Sequence, residues 1–323
     1  MTAHVLITAS HWAEAAQEHL RAAGLALTFM DEPVNEATLI QAFRQQPFVA
    51  AVLRGNRPVT DQVLAAAPAL RVIAKNGAGI DGVDVAAATA RGIQVRVAAA
   101  ANADAVAEHA LAMMLSLVRQ LGALDAQLRR GHWPPSTFMG QDFRGSTVGI
   151  VGFGSIGQRT AQLCSALGAK VLVFRRASST QPCEFDTESD FHHFLSRLDI
   201  LSLHCPLTPS TRGLIGAAEL ACLKPSALLI NTARGPVVNE AALVEALRQG
   251  RLRGAGLDTF DIEPLPAHHA LTELPNVLLS PHVAGVTQQA AAQVAMITAE
   301  NVVGALSGLP PVPGRLINLE VMK

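Results

Sequence analysis

The chain lacks several features that would point to particular classes of protein. Its 323 residues carry a formal net charge of -1 and include four cysteines and no tyrosine. Cys164, Cys183, Cys205 and Cys222 form neither a C-x-x-C pair nor a zinc-site spacing, which indicates a reduced, cytoplasmic protein without a metal site. A charge near zero gives no indication of a nucleic-acid partner or an anionic membrane partner.

Long apolar runs are also missing. No stretch of about 18 apolar residues or more escapes interruption by a charged residue or glycine, so no membrane-spanning helix is expected. The chain begins almost at once with a predicted strand, His4 to Thr8, and we expect no leader before it.

Strand-like and helix-like segments alternate along almost the whole chain, which predicts an α/β fold with parallel sheets. Asn35, Thr60 and Thr287 are expected to cap helices, the last of which runs to about Leu306. The first series of predicted strands comprises Val5–Thr8, Leu25–Phe29, Val49–Leu53 and Val72–Lys75. The second series comprises Thr147–Val151, Val171–Phe174, Ile200–Leu203, Leu228–Asn231, Ala255–Leu257 and Val277–Leu279.

A glycine-rich turn opens the second series. A buried strand runs into G-x-G-x-x-G, formed by Gly152, Gly154 and Gly157, and a helix is predicted directly behind it. This context is typical of a dinucleotide-binding site, because such glycines permit a tight turn and close approach to a pyrophosphate. The helix N-terminus attracts the anion.

The next strand ends in Arg175-Arg176, where an NAD-binding domain usually has an acidic residue for the ribose 2′-hydroxyl. Two fixed cations favour a 2′-phosphate, so we predict that NADP(H) is preferred and that NAD(H) remains possible. One Arg–phosphate fork shifts such a preference by about ten- to a hundredfold. Ser178, Ser179 and Thr180 are expected to add hydroxyl donors.

An Ala/Leu/Met-rich segment from Asn102 to about Arg130 is predicted to be one long helix, ended by Gly131 and Pro134-Pro135. The segment is too apolar for a solvated helix. Core packing explains part of its composition and a subunit interface explains the rest, so we predict a two-fold homodimer.

Three ionisable residues follow predicted strand ends of the second series, where open α/β sheets bind ligands: Arg234, Glu263 and His282. An arginine binds a carboxylate in a bidentate fork, and a histidine oriented by a carboxylate can donate a proton near neutral pH. Reduction of a 2-oxo acid needs both groups, since the carboxylate must be anchored and the nascent alkoxide must be protonated while hydride arrives.

These segments together resemble the D-isomer-specific 2-hydroxyacid dehydrogenases, which include D-3-phosphoglycerate dehydrogenases and glyoxylate/hydroxypyruvate reductases. The resemblance covers nearly the whole chain, in the family's order and spacing. Besides the glycine turn, the matching segments are Lys75 to Asp81, Ala107-Glu108-His109, His204 to Thr208, Asn231 to Gly235, and those around Glu263 and His282.

The resemblance implies an NAD(P)-dependent reduction of a small 2-oxo acid to its D-2-hydroxy acid. Arg234 would bind the substrate carboxylate and carbonyl, His282 would be the acid/base, and Glu263 would hydrogen-bond the His282 ring. Asp258 would touch the nicotinamide carboxamide, and Ser155 would face the pyrophosphate. The remaining implied cofactor residues are Ile156, Cys205, Pro206, Thr208, Thr232 and Ala233.

The resemblance also implies a substrate-binding loop, in which the backbone amides of Ala78 and Gly79 would surround the carboxylate. Its residues are Lys75, Asn76, Gly77, Ala78 and Gly79. Arg54 occupies the position of a phosphate-binding arginine in phosphoglycerate enzymes, although Gly55 replaces the serine that often follows it. Hydroxypyruvate, glyoxylate or a phosphorylated relative would fit, and the residues do not choose between them. The lack of tyrosine disfavours a large aromatic substrate.

We therefore predict two doubly wound parallel-sheet domains, one Rossmann and one flavodoxin-like, with the active site in the cleft between them. Residues 1-100 plus 287-323 would bind the substrate, and residues 101-286 would bind the dinucleotide. A D-3-phosphoglycerate dehydrogenase is the alternative activity. Because the sequence ends soon after the last predicted helix, we expect an enzyme without the regulatory C-terminal domain of some members. A dinucleotide-sensing corepressor-like scaffold is the alternative from another class.

Overall fold

The computed structural model describes residues 2–176 and 182–322, which form two compact units. Unit 1 comprises Met1–Asn102 and Val286–Lys323, and unit 2 comprises Ala103–Gly285. Ser178, Ser179 and Thr180, predicted as cofactor donors, lie outside the described residues.

Unit 1 contains a five-stranded parallel sheet in the order β2-β1-β3-β4-β5, which is the flavodoxin-like order. The order reverses between the neighbouring strands β1 and β3. The elements of the first segment are β1 (Ala3–Ile7), α1 (Glu14–Ala22), β2 (Leu25–Phe29), α2 (Glu36–Gln45), β3 (Phe48–Leu53), α3 (Asp61–Ala65), β4 (Val72–Lys75), α4 (Val85–Ala90) and β5 (Gln94–Val97).

Unit 2 contains a seven-stranded parallel sheet, β12-β11-β10-β9-β6-β7-β8. Counted from β6, this is the Rossmann order with one further strand. Its elements are α5 (Ala103–Arg119), α6 (Leu121–Arg129), β6 (Thr147–Val151), α7 (Ser155–Ala166), β7 (Lys170–Phe174), β8 (Asp186–Glu188), α8 (Phe191–Ser196), β9 (Ile200–Leu203), α9 (Ala217–Cys222), β10 (Leu228–Asn231), α10 (Glu240–Arg248), β11 (Gly254–Leu257) and β12 (Val277–Leu279).

The chain then returns to unit 1, where α11 (Gln288–Leu306) packs against α1 and β4. The side chains of Asn35, Thr60 and Thr287 accept hydrogen bonds at the starts of α2, α3 and α11, which confirms the three predicted caps. Among residues 2–176 and 182–322, no helix combines the length and the apolar character needed to cross a membrane.

The prediction of one long helix over 102–130 is wrong, because the segment divides into α5 and α6 at Gln120. Gln120 has a left-handed backbone, with φ of 55°. The Val118 carbonyl, which would otherwise continue the helical ladder, accepts hydrogen bonds from Arg253 Nη2 (3.1 Å) and the Gln141 amide (3.4 Å). These distant partners end α5 where the local sequence favours its continuation.

The short strand β8 was not predicted. Its sequence is Asp-Thr-Glu, and it lies at the edge of the sheet beside β7. Three polar residues carry no apolar alternation, so this strand depends on pairing with β7 rather than on its own pattern.

The core of unit 2 is closely packed at Gly149, in the middle of β6. A Cβ atom placed there would overlap the Leu198 side chain and would lie 2.8 Å from Phe194 Cζ. Gly122 in α6 offers a contrast, since a Cβ there would meet only Leu278 Cδ1, at 3.8 Å. The first site therefore excludes a methyl group and the second accepts one.

We predict that Gly149→Ala lowers the free energy of unfolding by about 1–3 kcal/mol, because the core around β6 must shift to admit the methyl group. Gly122→Ala is the control, and we expect it to be neutral or to stabilise by up to about 1 kcal/mol through helix propensity. Urea unfolding followed by circular dichroism measures both. Equal midpoints for Gly149→Ala and the parent chain would contradict the packing argument.

Candidate active site

The described residues of unit 2 that the sequence assigns to a site all lie in the loops at the carboxyl edge of its sheet or in the first turn of α7. Each strand runs in the same direction, so the residue after each strand end lies at this edge. The strand order reverses between β6 and β9, and open α/β sheets bind ligands at such a point.

The three glycines of the turn after β6 have different structural roles. Gly152 has φ of 93°, and a Cβ there would lie 2.6 Å from His204 C and overlap the Cys205 amide. A Cβ at Gly157 would overlap the Gly152 carbonyl. At Gly154, by contrast, a Cβ would meet nothing within 4 Å. The outer glycines permit packing, and the middle one faces open space.

Helix α7 begins directly behind this turn, and its N-cap Gly154 provides no side-chain hydrogen bond to the first turn. Backbone amides at Ser155 and Ile156 therefore lie at an uncapped helix N-terminus beside the open space at Gly154. This arrangement fits the pyrophosphate of a dinucleotide. The buried hydroxyl of Thr232, at the same edge of the sheet, has no hydrogen-bond partner in the described structure, which also fits a polar ligand there.

Arg175 and Arg176 follow β7 at this edge. Arg175 donates its backbone amide to the Glu188 carbonyl (3.0 Å), and the exposed Arg176 places Nη2 3.5 Å from Ser210 Oγ. Ser210 Oγ lies 3.0 Å from Thr208 Oγ1, in the loop after β9. The two arginines and this hydroxyl pair thus lie at the end of β7, where a 2′-phosphate would be expected.

The nearby acid Glu188 is engaged elsewhere. Its carboxylate accepts the amides of Asp190 (3.0 Å) and Ser189 (2.8 Å) and pairs with His193 Nδ1 (2.6 Å). The Asp190 amide, followed by the His193 ring and the Ser189 amide, lowers the pKa of Glu188. Its carboxylate oxygens therefore bond to residues just before and within the first turn of α8.

The loop after β10 holds Arg234 through a buried asparagine. Asn231 accepts the Ala233 amide at Oδ1 (3.0 Å) and donates from Nδ2 to the Arg234 carbonyl (2.9 Å). A Cβ at Gly235 would overlap the carbonyl of Phe260, so the Arg234 loop packs directly on the loop after β11. Asn231 lies in a segment that resembles a family motif, but the local pattern does not predict this structural role.

The loop after β11 places Glu263 next to His282. His282 Nδ1 lies 2.7 Å from Glu263 Oε2, and Glu263 Oε1 accepts the Phe260 amide at 3.0 Å. The side chains are 48% and 36% exposed, so both can reach a ligand. His282 has φ of 54°, a backbone conformation that costs a non-glycine residue about 1–2 kcal/mol.

Asp258 is buried, and its contacts are with the His282 loop. Its oxygens accept hydrogen bonds from Ser280 Oγ (2.5 Å), the Val283 amide (2.9 Å) and the Ala284 amide (2.9 Å). The predicted contact of Asp258 with a nicotinamide carboxamide remains a prediction.

His204, Cys205 and Pro206 begin the loop after β9. Burial lowers the pKa of His204 to about 4, and its Nε2 lies 2.9 Å from Ser202 Oγ. Burial also raises the pKa of the Cys205 thiol. A neutral imidazole and a neutral thiol therefore border the Gly152 turn.

The predicted substrate residues of unit 1 meet at the carboxyl edge of its own sheet. The Arg54 amide donates to Thr8 Oγ1 (3.0 Å), and Arg54 Nη1 donates to the His11 carbonyl (3.3 Å). Lys75 is buried and donates from Nζ to the Gly55 carbonyl. These contacts join the loops after β1 and β3 to the end of β4.

The loop 75–79 is held by a tryptophan of unit 1 that no sequence motif assigns to the site. Trp12 Nε1 donates to Asn76 Oδ1 (2.9 Å), and the Ala98 amide donates to the Gly77 carbonyl (3.0 Å). The Asn76 amide donates to the Leu53 carbonyl (2.9 Å). Trp12 and Asn76 are 64 residues apart, and no local pattern in the sequence links them.

Comparisons with known proteins agree with this architecture. The profile of the D-isomer specific 2-hydroxyacid dehydrogenase NAD binding domain matches residues 111–284. D-3-phosphoglycerate dehydrogenase of Mycobacterium tuberculosis is 42% identical over 279 residues, which cover 84% of this chain and 53% of that protein. This chain thus spans about half the length of the curated D-3-phosphoglycerate dehydrogenases that it matches.

Two further relatives match over most of their own length. Glyoxylate reductase of Thermofilum pendens is 37% identical over 300 residues, covering 91% of this chain and 87% of that protein. The crystal structure of an NADPH-dependent glyoxylate/hydroxypyruvate reductase from Sinorhizobium meliloti, in complex with citrate, has a TM-score of 0.85 at 29% identity, covering 99% and 98% of the two chains. The chain belongs to the D-isomer specific 2-hydroxyacid dehydrogenase family.

Proposed function

We propose that this chain reduces a small 2-oxo acid, of the hydroxypyruvate or glyoxylate type, to its D-2-hydroxy acid. The observation that carries the proposal is the 2.7 Å pair of His282 Nδ1 and Glu263 Oε2, at the same sheet edge as the Arg234 loop and the dinucleotide turn. The glyoxylate reductase of Thermofilum pendens, at 37% identity, supports this substrate class.

A bound nicotinamide cofactor would supply the hydride to the carbonyl carbon. Gly154 and the amides of Ser155 and Ile156 would hold its pyrophosphate. Thr232 and Ala233 lie on the loop after β10, which is separated from β6 by β9 in the sheet. Cys205, Pro206 and Thr208 are proposed to line its binding surface. These assignments rest on the uncapped helix N-terminus and the open space at Gly154.

Side chains of this protein would donate the proton and stabilise the negative charge of the substrate. With Nδ1 donating to Glu263, the His282 ring presents Nε2 as the nitrogen that gives a proton to the alkoxide oxygen. Glu263 orients the ring and stabilises the imidazolium by its negative charge. Arg234 is proposed to bind the substrate carboxylate and to polarise the carbonyl through its fixed charge.

We also assign the substrate's carboxylate to the loop 75–79 of unit 1, with backbone amides of Ala78 and Gly79 as donors. The Trp12–Asn76 hydrogen bond and the Ala98–Gly77 bond fix this loop, so its amides need little ordering on binding. Arg54 lies in the neighbouring loop after β3 and can meet a further anionic group of the substrate.

D-3-phosphoglycerate dehydrogenase is the second candidate activity. Arg54 is the observation that favours it, because a guanidinium suits a phosphate group and the Mycobacterium tuberculosis relative is 42% identical. Activity with 3-phosphohydroxypyruvate well above that with hydroxypyruvate would favour this candidate over the first.

We predict that His282→Asn lowers kcat by about 10²–10⁴, because the proton donor is removed, while cofactor binding stays nearly unchanged. Initial-rate assays with hydroxypyruvate measure kcat, and fluorescence titration with NADPH measures cofactor binding. His193→Asn is a matched control, since His193 forms a similar 2.6 Å pair with Glu188 and neither residue is assigned to the proton transfer. A His282→Asn variant that keeps the parent rate would overturn the acid/base assignment.

We propose that Arg175 and Arg176 select NADP(H) by binding the 2′-phosphate, and that NAD(H) is used less well. The initial rate of absorbance loss should be higher with NADPH than with NADH, for both hydroxypyruvate and glyoxylate. The double variant Arg175→Ala/Arg176→Ala should lower kcat/KM for NADPH by about ten- to a hundredfold and change that for NADH little.

Arg197→Ala is the control for loss of a nearby positive charge, because Arg197 directly follows α8 and its Nη1 lies 3.8 Å from Glu188 Oε2. A parent chain that prefers NADH, or a double variant with an unchanged NADPH rate, would make the two arginines bystanders and would strengthen the phosphoglycerate alternative.

We propose that α5 and α6 form the interface of a two-fold homodimer. Helix α6 contains no buried residue, and Leu121, Leu128, Trp133 and Met139 in and after it are 55%, 49%, 86% and 85% exposed. Apolar side chains gathered on one surface segment are typical of an interface.

Sedimentation velocity should give a species of twice the 33.9 kDa chain mass. Leu128→Glu should shift the equilibrium towards monomer, because it places a charge in the apolar interface. Leu319→Glu, at an exposed leucine of unit 1 (64%, against 49% for Leu128), should leave the dimer intact. A monomeric parent chain at micromolar concentration would exclude the interface.

A further inference from the structure

One motif of the sequence has no part in the proposed chemistry. His109 belongs to the Ala107-Glu108-His109 segment on α5, and its side chain is 28% exposed. Its Nε2 lies 2.8 Å from Ser280 Oγ, on the turn that carries His282. A contact across 171 residues thus links this helix to the His282 turn.

The proton positions in this contact follow from the donors that are available. Ser280 Oγ donates its single proton to Asp258 Oδ1 at 2.5 Å, so it can only accept from His109. His109 Nε2 therefore carries a proton and donates it to Ser280. The result is a directed chain of hydrogen bonds from His109 through Ser280 to Asp258, whose carboxylate is nearly fully buried.

Asp258 in turn holds the backbone directly after His282. Oδ1 accepts the Val283 amide and Oδ2 accepts the Ala284 amide, both at 2.9 Å. On the other side of His282, its own amide donates to the Ser280 carbonyl at 3.1 Å. The left-handed backbone of His282 is thus fixed on both sides by partners of the same network.

We infer that His109 is a positioning residue, which holds the His282 turn in place through Ser280 and Asp258. This inference rests on the proposed function for its effect on turnover, but the anchoring itself can be measured without turnover. Loss of the His109 donor leaves Ser280 free to rotate away from Asp258. The Val283 and Ala284 amides then lose a fixed acceptor, and the His282 ring loses its position relative to Glu263.

The first measurement is hydrogen exchange of the backbone amides of residues 280–286, in the intact chain without substrate. We expect His109→Leu to speed this exchange about tenfold, since the turn opens more often when its acceptor is loosened. His109→Gln should restore the parent rate, because the glutamine Nε2 can donate to Ser280 from nearly the same place. Glu108→Gln, an exposed neighbour on the same helix, is the control.

The second measurement separates positioning from a general structural role. We expect His109→Leu to lower kcat about tenfold with hydroxypyruvate, with the KM for NADPH unchanged, and His109→Gln to recover the rate. Ser280→Ala breaks the chain of hydrogen bonds at its middle and should reproduce both the faster exchange and the lower kcat. It also serves as the test variant if His109→Leu does not fold.

Equal exchange in His109→Leu and Glu108→Gln would overturn the anchoring. Faster exchange with an unchanged kcat would overturn the positioning of His282, and a glutamine variant as impaired as the leucine variant would overturn the role of the Nε2 donor. A parent chain that turns over no 2-oxo acid would instead count against the proposed function, and the exchange data would still decide whether His109 anchors the turn.

Discussion

Parallel strand pairing in unit 2 is the constraint on which the candidate active site depends. The register places the last residues of six strands in one row across the sheet: Phe174, Val151, Leu203, Asn231, Leu257 and Leu279. The next residue of each strand therefore begins a loop at one edge, and these six residues are Arg175, Gly152, His204, Thr232, Asp258 and Ser280. A shift of one residue in any pair would move the following loop out of this row.

Buried polar side chains hold the loops, whereas the side chains proposed for catalysis are exposed. Asn231 and Asp258 are almost completely buried and bond to the backbone of their own and neighbouring loops. His282 and Glu263, in contrast, are 48% and 36% exposed. A side chain can be positioned accurately while open to a ligand only if another group fixes its backbone, and here buried polar groups do so.

The extent to which the sequence predicts this structure depends on the range of the interactions. The glycine turn, the helix caps and the strands β6, β9, β10 and β12 follow from local patterns, because each needs only nearby residues. The division between α5 and α6 does not, since it depends on Arg253 and Gln141. The Trp12–Asn76 and His109–Ser280 contacts are likewise invisible locally, because each joins residues that only the folded chain brings together.

The exposure of the His282–Glu263 pair makes the strength of their interaction depend on whether a ligand covers them. In water, an ion pair that is exposed to this degree contributes little to stability, because solvent screens both charges. A ligand that covers the pair excludes water and lowers the local dielectric, which strengthens the attraction between the imidazolium and the carboxylate. The pair therefore adds little to the stability of the fold. A substrate that covers it would face a proton donor whose charged form is stabilised by the Glu263 carboxylate. His282 also has a left-handed backbone, a conformation that costs a non-glycine residue about 1–2 kcal/mol and persists only where neighbouring contacts fix it.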